Sequence, residues 1–252
     1  MIDDEAPPQS SWDDLAEWWR REVADDPVYT TDLGPLYGSL IDDIDGVVCD
    51  LGCGEGRAMP LTGSGTIGVD SSRELLRTAI RRGPCVLADM PDLSAFRTDA
   101  FDHAVSVYLV DLIFDHAAFF AETARIVRTG GILAIVINHP VYTAPGSAPI
   151  SDLDGEVLWR WGRYLDAGSS VEPAGSAEVR FHHRPLGMLL TAAAKAGWCL
   201  DRLEERALSA EAIAVMPGYD GQDCVPRLLG ARWRNGSSAT PLADRGGSGT
   251  AS

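Results

Sequence analysis

Three carboxylates, each at or near the end of a short apolar run, mark where this chain could do chemistry. They are Asp50 in the run 46–51, Asp70 closing 66–70, and Asp89 directly after 85–88. Asp50 leads into a glycine-rich loop, Gly52-Cys53-Gly54-Glu55-Gly56-Arg57. Glycines let a backbone turn tightly and approach a ligand closely. Two ligand chemistries use such loops, and charge separates them. A dinucleotide site must attract an anionic pyrophosphate with N–H donors, whereas Asp50 and Glu55 repel one and suit a cation. The spacing is G-x-G-x-G, with Arg57 where the dinucleotide fingerprint has glycine or alanine. A cofactor with an α-ammonium and a sulfonium centre fits better. Asp70 lies 20 residues beyond Asp50, about the distance at which a carboxylate grips a ribose diol in nucleotide-binding folds. Ser71 and Ser72 follow it as candidate N-caps for a helix.

These segments resemble the class I S-adenosylmethionine-dependent methyltransferases. Asp50, Gly52, Gly54 and Gly56 match the family's D-x-G-x-G-x-G position by position. Residues 101–106 resemble its F-D-x-V-x-S, with Ala104 in place of the valine. Val127, Thr129, Gly130 and Gly131 stand at its L-x-P-G-G. His139-Pro140 and His182-His183-Arg184 are similar to the H-P and Y-H-R elements of a bacterial small-molecule subgroup, with His182 in the tyrosine position. The resemblance is strong over residues 40–140 and weaker over 175–235. It implies S-adenosylmethionine as cofactor and S-adenosylhomocysteine as product. The implied cofactor contacts are Asp50, Gly52, Cys53, Gly54, Asp70, Ser71, Asp89, Met90 and Ser106. Of these, Asp89 would accept from the adenine amine and Met90 would pack on the ring.

The elements that must position these residues follow. The resemblance implies an α/β fold, a doubly wound, mostly parallel seven-stranded sheet with helices on both faces. Its last strand is antiparallel, and a lid insertion follows strand 5. The glycine loop is expected to open a helix, another helix to run from about 115 to 127 up to a glycine C-cap near 129–131, and strands to cover 132–137 and 225–233. Residues 1–39 form an N-terminal helical arm or lid, 40–235 the methyltransferase domain with 139–182 as its insertion, and 236–252 a disordered tail. Trp12, Leu15 and Trp19 recur at helical spacing, as either a core-packed stripe or a cover over the site.

Methyl transfer from a sulfonium is an in-line displacement in which the protein aligns the acceptor and excludes water. An acceptor that must lose a proton benefits from a base, and histidine suits that near neutral pH. His139 is the first candidate base and His183 the second; the alternative for both is a loop histidine bonded to backbone. His103 reads as structural and His116 as a solvated residue at a helix start. Tyr29, Tyr142, Trp159 and Arg184 are candidate substrate contacts, Arg184 because an arginine suits a carboxylate. The aromatic cluster Trp159, Trp161 and Tyr164 reads equally as an apolar pocket or as the insertion's own small core. The acceptor expected is an oxygen or nitrogen nucleophile on an aromatic or partly apolar metabolite.

The remaining composition sets limits. The 252 residues suffice for one such domain, and the formal charge is −16. Lys195 is the only lysine, and the arginines form no run. A nucleic-acid partner is therefore not expected. The five cysteines contain no C-x-x-C pair and no metal-ligand spacing, which suits free thiols in a reducing cytoplasm; no metal is expected. No apolar run is long enough to span a membrane, and the acidic start has no apolar leader core. The expected molecule is a cytoplasmic monomer or homodimer acting on a small molecule. The rival readings are a nicotinamide-dependent oxidoreductase, a nucleic-acid methyltransferase and a non-catalytic regulator that binds S-adenosylmethionine.

Overall fold

The computed structural model describes residues 11–24 and 26–236. The first ten residues of the expected N-terminal arm and all but the first residue of the expected tail lie outside them. Helix α1 (Trp12–Ala24) and a π-turn (Tyr29–Leu33) precede α2 (Gly34–Ile41). Then come β1 (Val48–Leu51), β2 (Thr66–Asp70), α3 (Arg73–Ala79), β3 (Cys85–Leu87), β4 (Phe101–Val107), α4 (His116–Ile126) and β5 (Val127–Asn138). A short α5 (Pro140–Thr143) opens the insertion, which holds the strands β6 (Ala148–Ser151), β7 (Val157–Arg160), β8 (Gly168–Ala174) and β9 (Ala177–His183). The chain closes with α6 (Leu186–Lys195), β10 (Trp198–Arg206), α7 (Ala210–Val215) and β11 (Leu228–Asn235).

Seven strands form one sheet in the order β10-β11-β5-β4-β1-β2-β3. β11 runs antiparallel to both of its neighbours, and the pairs from β5 to β3 are parallel. Alternation along β5 shows how the sheet is covered. Leu133, Ile135 and Ile137 pack with Phe119, Phe120 and Ile126 of α4 and with Leu189 and Ala193 of α6. Ile132, Ala134 and Val136 pack on the other face with Leu36, Tyr37 and Leu40 of α2. A strand buried on both faces reads as a continuous apolar run, as this one does. β1 is hydrogen-bonded to β2 on one side and β4 on the other. Strand order reverses there, and the carboxyl ends diverge into a crevice where open α/β sheets bind ligands.

Two local expectations are corrected. The glycine loop does not open an α-helix: it passes into a 3-10 turn, Met59–Leu61, and the chain returns as β2 at Thr66. Pro60 within that turn and Gly63 at φ +92 leave too little chain for a helix. Helix α4 ends at Ile126 because Val127 is already extended, not at a glycine C-cap. Gly130, at φ +79, instead turns the irregular first part of β5. The insertion is two hairpins, β6–β7 and β8–β9. The second packs on α1 through Leu15, Ala174 and Val179. No helix among the described residues is long and apolar enough to cross a membrane.

Candidate functional site

The carboxyl ends of β1, β2 and β4 converge on a cavity of about 460 Å³, within the roughly 300–1,000 Å³ range of small-molecule sites. Its floor is the glycine loop. Gly52, Gly54 and Gly56 sit at φ +69, +54 and +75, a region that L side chains rarely enter. Gly52 N–H and Cys53 N–H donate to Val69 C=O at 2.8 and 3.0 Å. Asp70 ties loop and strand together: one carboxylate oxygen accepts from Gly54 N–H and the other from Ser72 N–H, both at 2.8 Å. Burial raises the Asp70 pKa, against the lowering effect of these bonds. Ser71, Asp89 and Met90 line the far wall, and Val107, Tyr108 and Leu109 line the side toward β4.

The roof is α1. Trp12, Asp13 and Trp19 line the cavity, and the Asp13 carboxylate accepts from Ser72 O–H at 2.7 Å and Glu74 N–H at 3.0 Å. Those bonds hold the Asp13 pKa below its usual value. Arg20 completes the latch, donating to Glu55 at 2.8 Å and to Glu74 C=O at 2.8 Å. The helix therefore covers the site with one face while Leu15 packs inward. Tyr29 enters the cavity from the π-turn.

The charge reading of the loop needs one correction. Glu55 is paired with Arg20 and Arg57, so it presents no net charge to a ligand. Asp50 alone does so. It is 2 % exposed, and its Oδ2 has no hydrogen-bond partner among the described residues. Burial, with the neighbouring Asp70 charge, pushes its pKa up to about 7. A buried carboxyl with a vacant acceptor costs free energy unless something compensates. The α-ammonium and sulfonium of S-adenosylmethionine are of the right sign, so these residues fit that cofactor.

Of the residues expected from the sequence, the cavity brings together Asp50, Gly52, Cys53, Gly54, Asp70, Ser71, Asp89, Met90 and Tyr29. Ser106 lies beneath it, fully buried and donating to Leu51 C=O at 3.0 Å. The two candidate bases are elsewhere. His139 caps α5, its Nδ1 accepting from Val141 N–H at 3.1 Å and its Nε2 donating to Glu205 at 2.6 Å. His183 Nε2 donates to Tyr164 C=O at 2.8 Å, with Thr143 O–H on Nδ1 at 3.3 Å. Burial lowers the pKa of both. Both rings are thus engaged in fastening the insertion and the end of β5. Arg184 is likewise spent. It is buried and donates to Val110, Ile113, Phe114 and His182 carbonyls, which pins the loop after β4. His103 accepts from Ile132 N–H at 3.0 Å.

Tyr142 and Trp159 stack with centroids 5.0 Å apart, outside the cavity lining. Sequence reasoning missed Arg227, whose guanidinium lies 4.1 Å from the Tyr142 ring centroid. It also missed the contributions of Tyr108, Asp13 and Arg20. Tyr108 holds φ +55 at the carboxyl end of β4, a conformation costing on the order of 1 kcal/mol and concentrated at functional sites.

A family profile described as "Methyltransferase domain" matches residues 49–135. A trans-aconitate 2-methyltransferase from Azoarcus sp. (strain BH72) is 33% identical over 140 residues, and the chain spans about half (52%) of that relative's length and matches over 52% of its own. An S-adenosylmethionine-dependent methyltransferase from Mesorhizobium loti superposes with a TM-score of 0.69 at 27% identity, covering 79% of this chain and 96% of that one. Geranyl diphosphate C-methyltransferase from Streptomyces coelicolor A3(2), solved with S-adenosyl-L-homocysteine, shares the fold at TM-score 0.54 and 15% identity, over 81% of this chain and 79% of that one. Residues 49–135 thus match a methyltransferase domain, and the glycine-loop crevice and sheet order are shared with S-adenosylmethionine-dependent methyltransferases of known structure.

Proposed function

We propose that the protein transfers a methyl group from S-adenosylmethionine to a small-molecule acceptor, onto an oxygen or nitrogen of an aromatic or partly apolar metabolite. The observation that carries this reading is the vacant Oδ2 of Asp50 at the floor of a cavity roofed by α1. The cofactor supplies an activated methyl on a positively charged sulfur. Asp50 would neutralise the cationic end, Asp70 would take the ribose once its backbone bonds adjust, and Asp89 and Met90 would border the adenine. Trp12 and Trp19 would lie over the bound cofactor and narrow its access to water, which would strengthen each of these electrostatic contacts. The cavity lining contains no histidine and no lysine among the described residues. A nucleophile that arrives already ionised suits such a lining, which favours oxygen. The Azoarcus relative is named for an organic acid, which supports the same preference.

Calorimetric titration with S-adenosylmethionine and S-adenosylhomocysteine tests the reading. Micromolar affinity is expected for both, and Asp50→Asn should weaken S-adenosylmethionine about tenfold through the lost charge contact. Well-folded protein that binds neither ligand sinks the proposal.

A further inference from the structure

Buried polar atoms without a partner fall into two groups among the described residues. One group, Tyr37 Oη and Asp50 Oδ2, belongs to the cofactor end of the molecule. The other is Asp111 Oδ2, Trp159 Nε1, Gln222 Oε1 and Arg227 Nε. These four come from four separate segments: the loop after β4, the insertion, and two points between α7 and β11. Buried polar groups are normally satisfied, and a cluster of exceptions asks for an explanation.

The cluster stands beside the cavity, at the carboxyl ends of β4 and β5. Leu228, next to Arg227, is paired with Asn138 at the end of β5. The Arg227 guanidinium donates to the Asn138 side-chain oxygen and stacks on Tyr142, which stacks on Trp159. Tyr108 connects the two places. It lines the cavity, and its phenol feels the charges of both Arg227 and Asp111.

Charge decides what the cluster suits. Asp111 is buried and flanked by two guanidiniums, Arg184 and Arg227. Arg184 is committed to backbone carbonyls. Arg227 has a neutral amide and an aromatic ring as neighbours, and no carboxylate within ion-pairing distance among the described residues. Arg184 has two acids acting on it, Asp111 and Asp115, so the guanidinium left without an ion pair in this cluster is that of Arg227. A half-buried guanidinium with vacant donor capacity is suited to a planar anion.

We propose that Arg227 anchors a carboxylate of the methyl acceptor, so that the acceptor is a small organic acid lying across Tyr108 from the cofactor. The proposal rests on the methyltransferase reading above and deepens it by naming the acceptor class and the residue that selects it. It also accounts for a site without a free histidine, since an acid can offer an oxygen that carries no proton.

The test titrates citrate, trans-aconitate and benzoate into the protein saturated with S-adenosylhomocysteine, with trimethyl citrate and benzamide as neutral controls. At least one acid binds and the neutral controls do not. Arg227→Gln weakens that acid about a hundredfold, the loss typical of a truncated charge pair. Arg227→Lys weakens it less, because the charge persists without the fork. Both variants keep the S-adenosylhomocysteine affinity within about twofold of the parent. The inference is overturned if no acid binds, if neutral controls bind equally well, or if Arg227→Gln leaves acid affinity unchanged. Should Arg227→Gln fail to fold, the comparison of acids with neutral controls on the parent protein decides alone. If S-adenosylhomocysteine itself does not bind the parent protein, the methyltransferase reading falls and this inference falls with it.

Discussion

Tyr108 lines the cofactor crevice and feels the charges of Arg227 and Asp111, yet the crevice and the Arg227 cluster are built in opposite ways. The crevice floor comes from one stretch of chain between β1 and β3, with glycines at positive φ and acids at strand ends. Its key bonds, such as Gly54 N–H to Asp70, span few residues. The Arg227 cluster draws on residues 108, 111, 138, 142, 159 and 227, which only the closed sheet and the docked insertion bring together. One half is set by local backbone conformation, the other by long-range packing. Removing single groups should therefore act differently in each.

The largest effect is expected at the seam. Arg184→Met leaves the 110–114 carbonyls without their donor and Asp111 with only one of its two flanking guanidiniums, and removing one partner of a buried polar network costs about 3–5 kcal/mol. Chemical denaturation should show that loss. S-adenosylmethionine affinity, measured under conditions where the variant is folded, should change by only a few-fold. A loss of cofactor binding as large as the loss of stability would break the division between the two halves.

Asp70→Ala comes next and acts on the local half. It frees Gly54 N–H and Ser72 N–H together and removes the proposed ribose contact. S-adenosylmethionine binding should weaken by about a hundredfold, as expected when hydrogen bonds to a charged group are lost. Calorimetry on the variant and its parent measures this, and an affinity within threefold of the parent would contradict the assignment.

The smallest effect sharpens the comparison through pH. The Asp50 pKa is raised to about 7 in the free protein, so below that value the group is mostly neutral and cannot pair with a cation. A cationic ligand binds the carboxylate form, hence affinity rises as pH climbs through 7 and levels off above it. Linkage gives a roughly tenfold gain for S-adenosylmethionine between about pH 6 and 8. Asp50→Asn should abolish the slope. A slope unchanged in that variant would assign the titration to another group.

Legibility followed the same division. That Asp50, Gly52, Gly54, Asp70, Asp89 and Met90 share one cavity is legible because their spacing along the chain is their geometry in space. The same local reading overreached at the loop's exit, where Pro60 and the short return to β2 replace a helix with a 3-10 turn. It also valued Glu55 as free charge, since Arg20 lies 35 residues away and its approach is invisible in a linear chain. His139, His183 and Arg184 are candidates by residue type and by their place after the fifth strand and the insertion, in segments similar to H-P and Y-H-R elements. Type says what a side chain can do, whereas carbonyls and a carboxylate already in contact decide what it does. Arg227 left no trace in the sequence beyond standing before a strand, because its distinguishing property is the lack of a carboxylate in ion-pairing contact among the described residues.

The roof has an optical consequence. Trp12 and Trp19 stand 6.2 Å apart in an edge-on pair, and both face the cavity. The Trp19 indole nitrogen lies 3.6 Å from where a side chain on Gly54 would begin. Anything seated on the glycine loop changes the polarity and charge around these two indoles. The helix over the crevice is thus also a built-in fluorophore, whose emission should follow the filling and emptying of the crevice without any label.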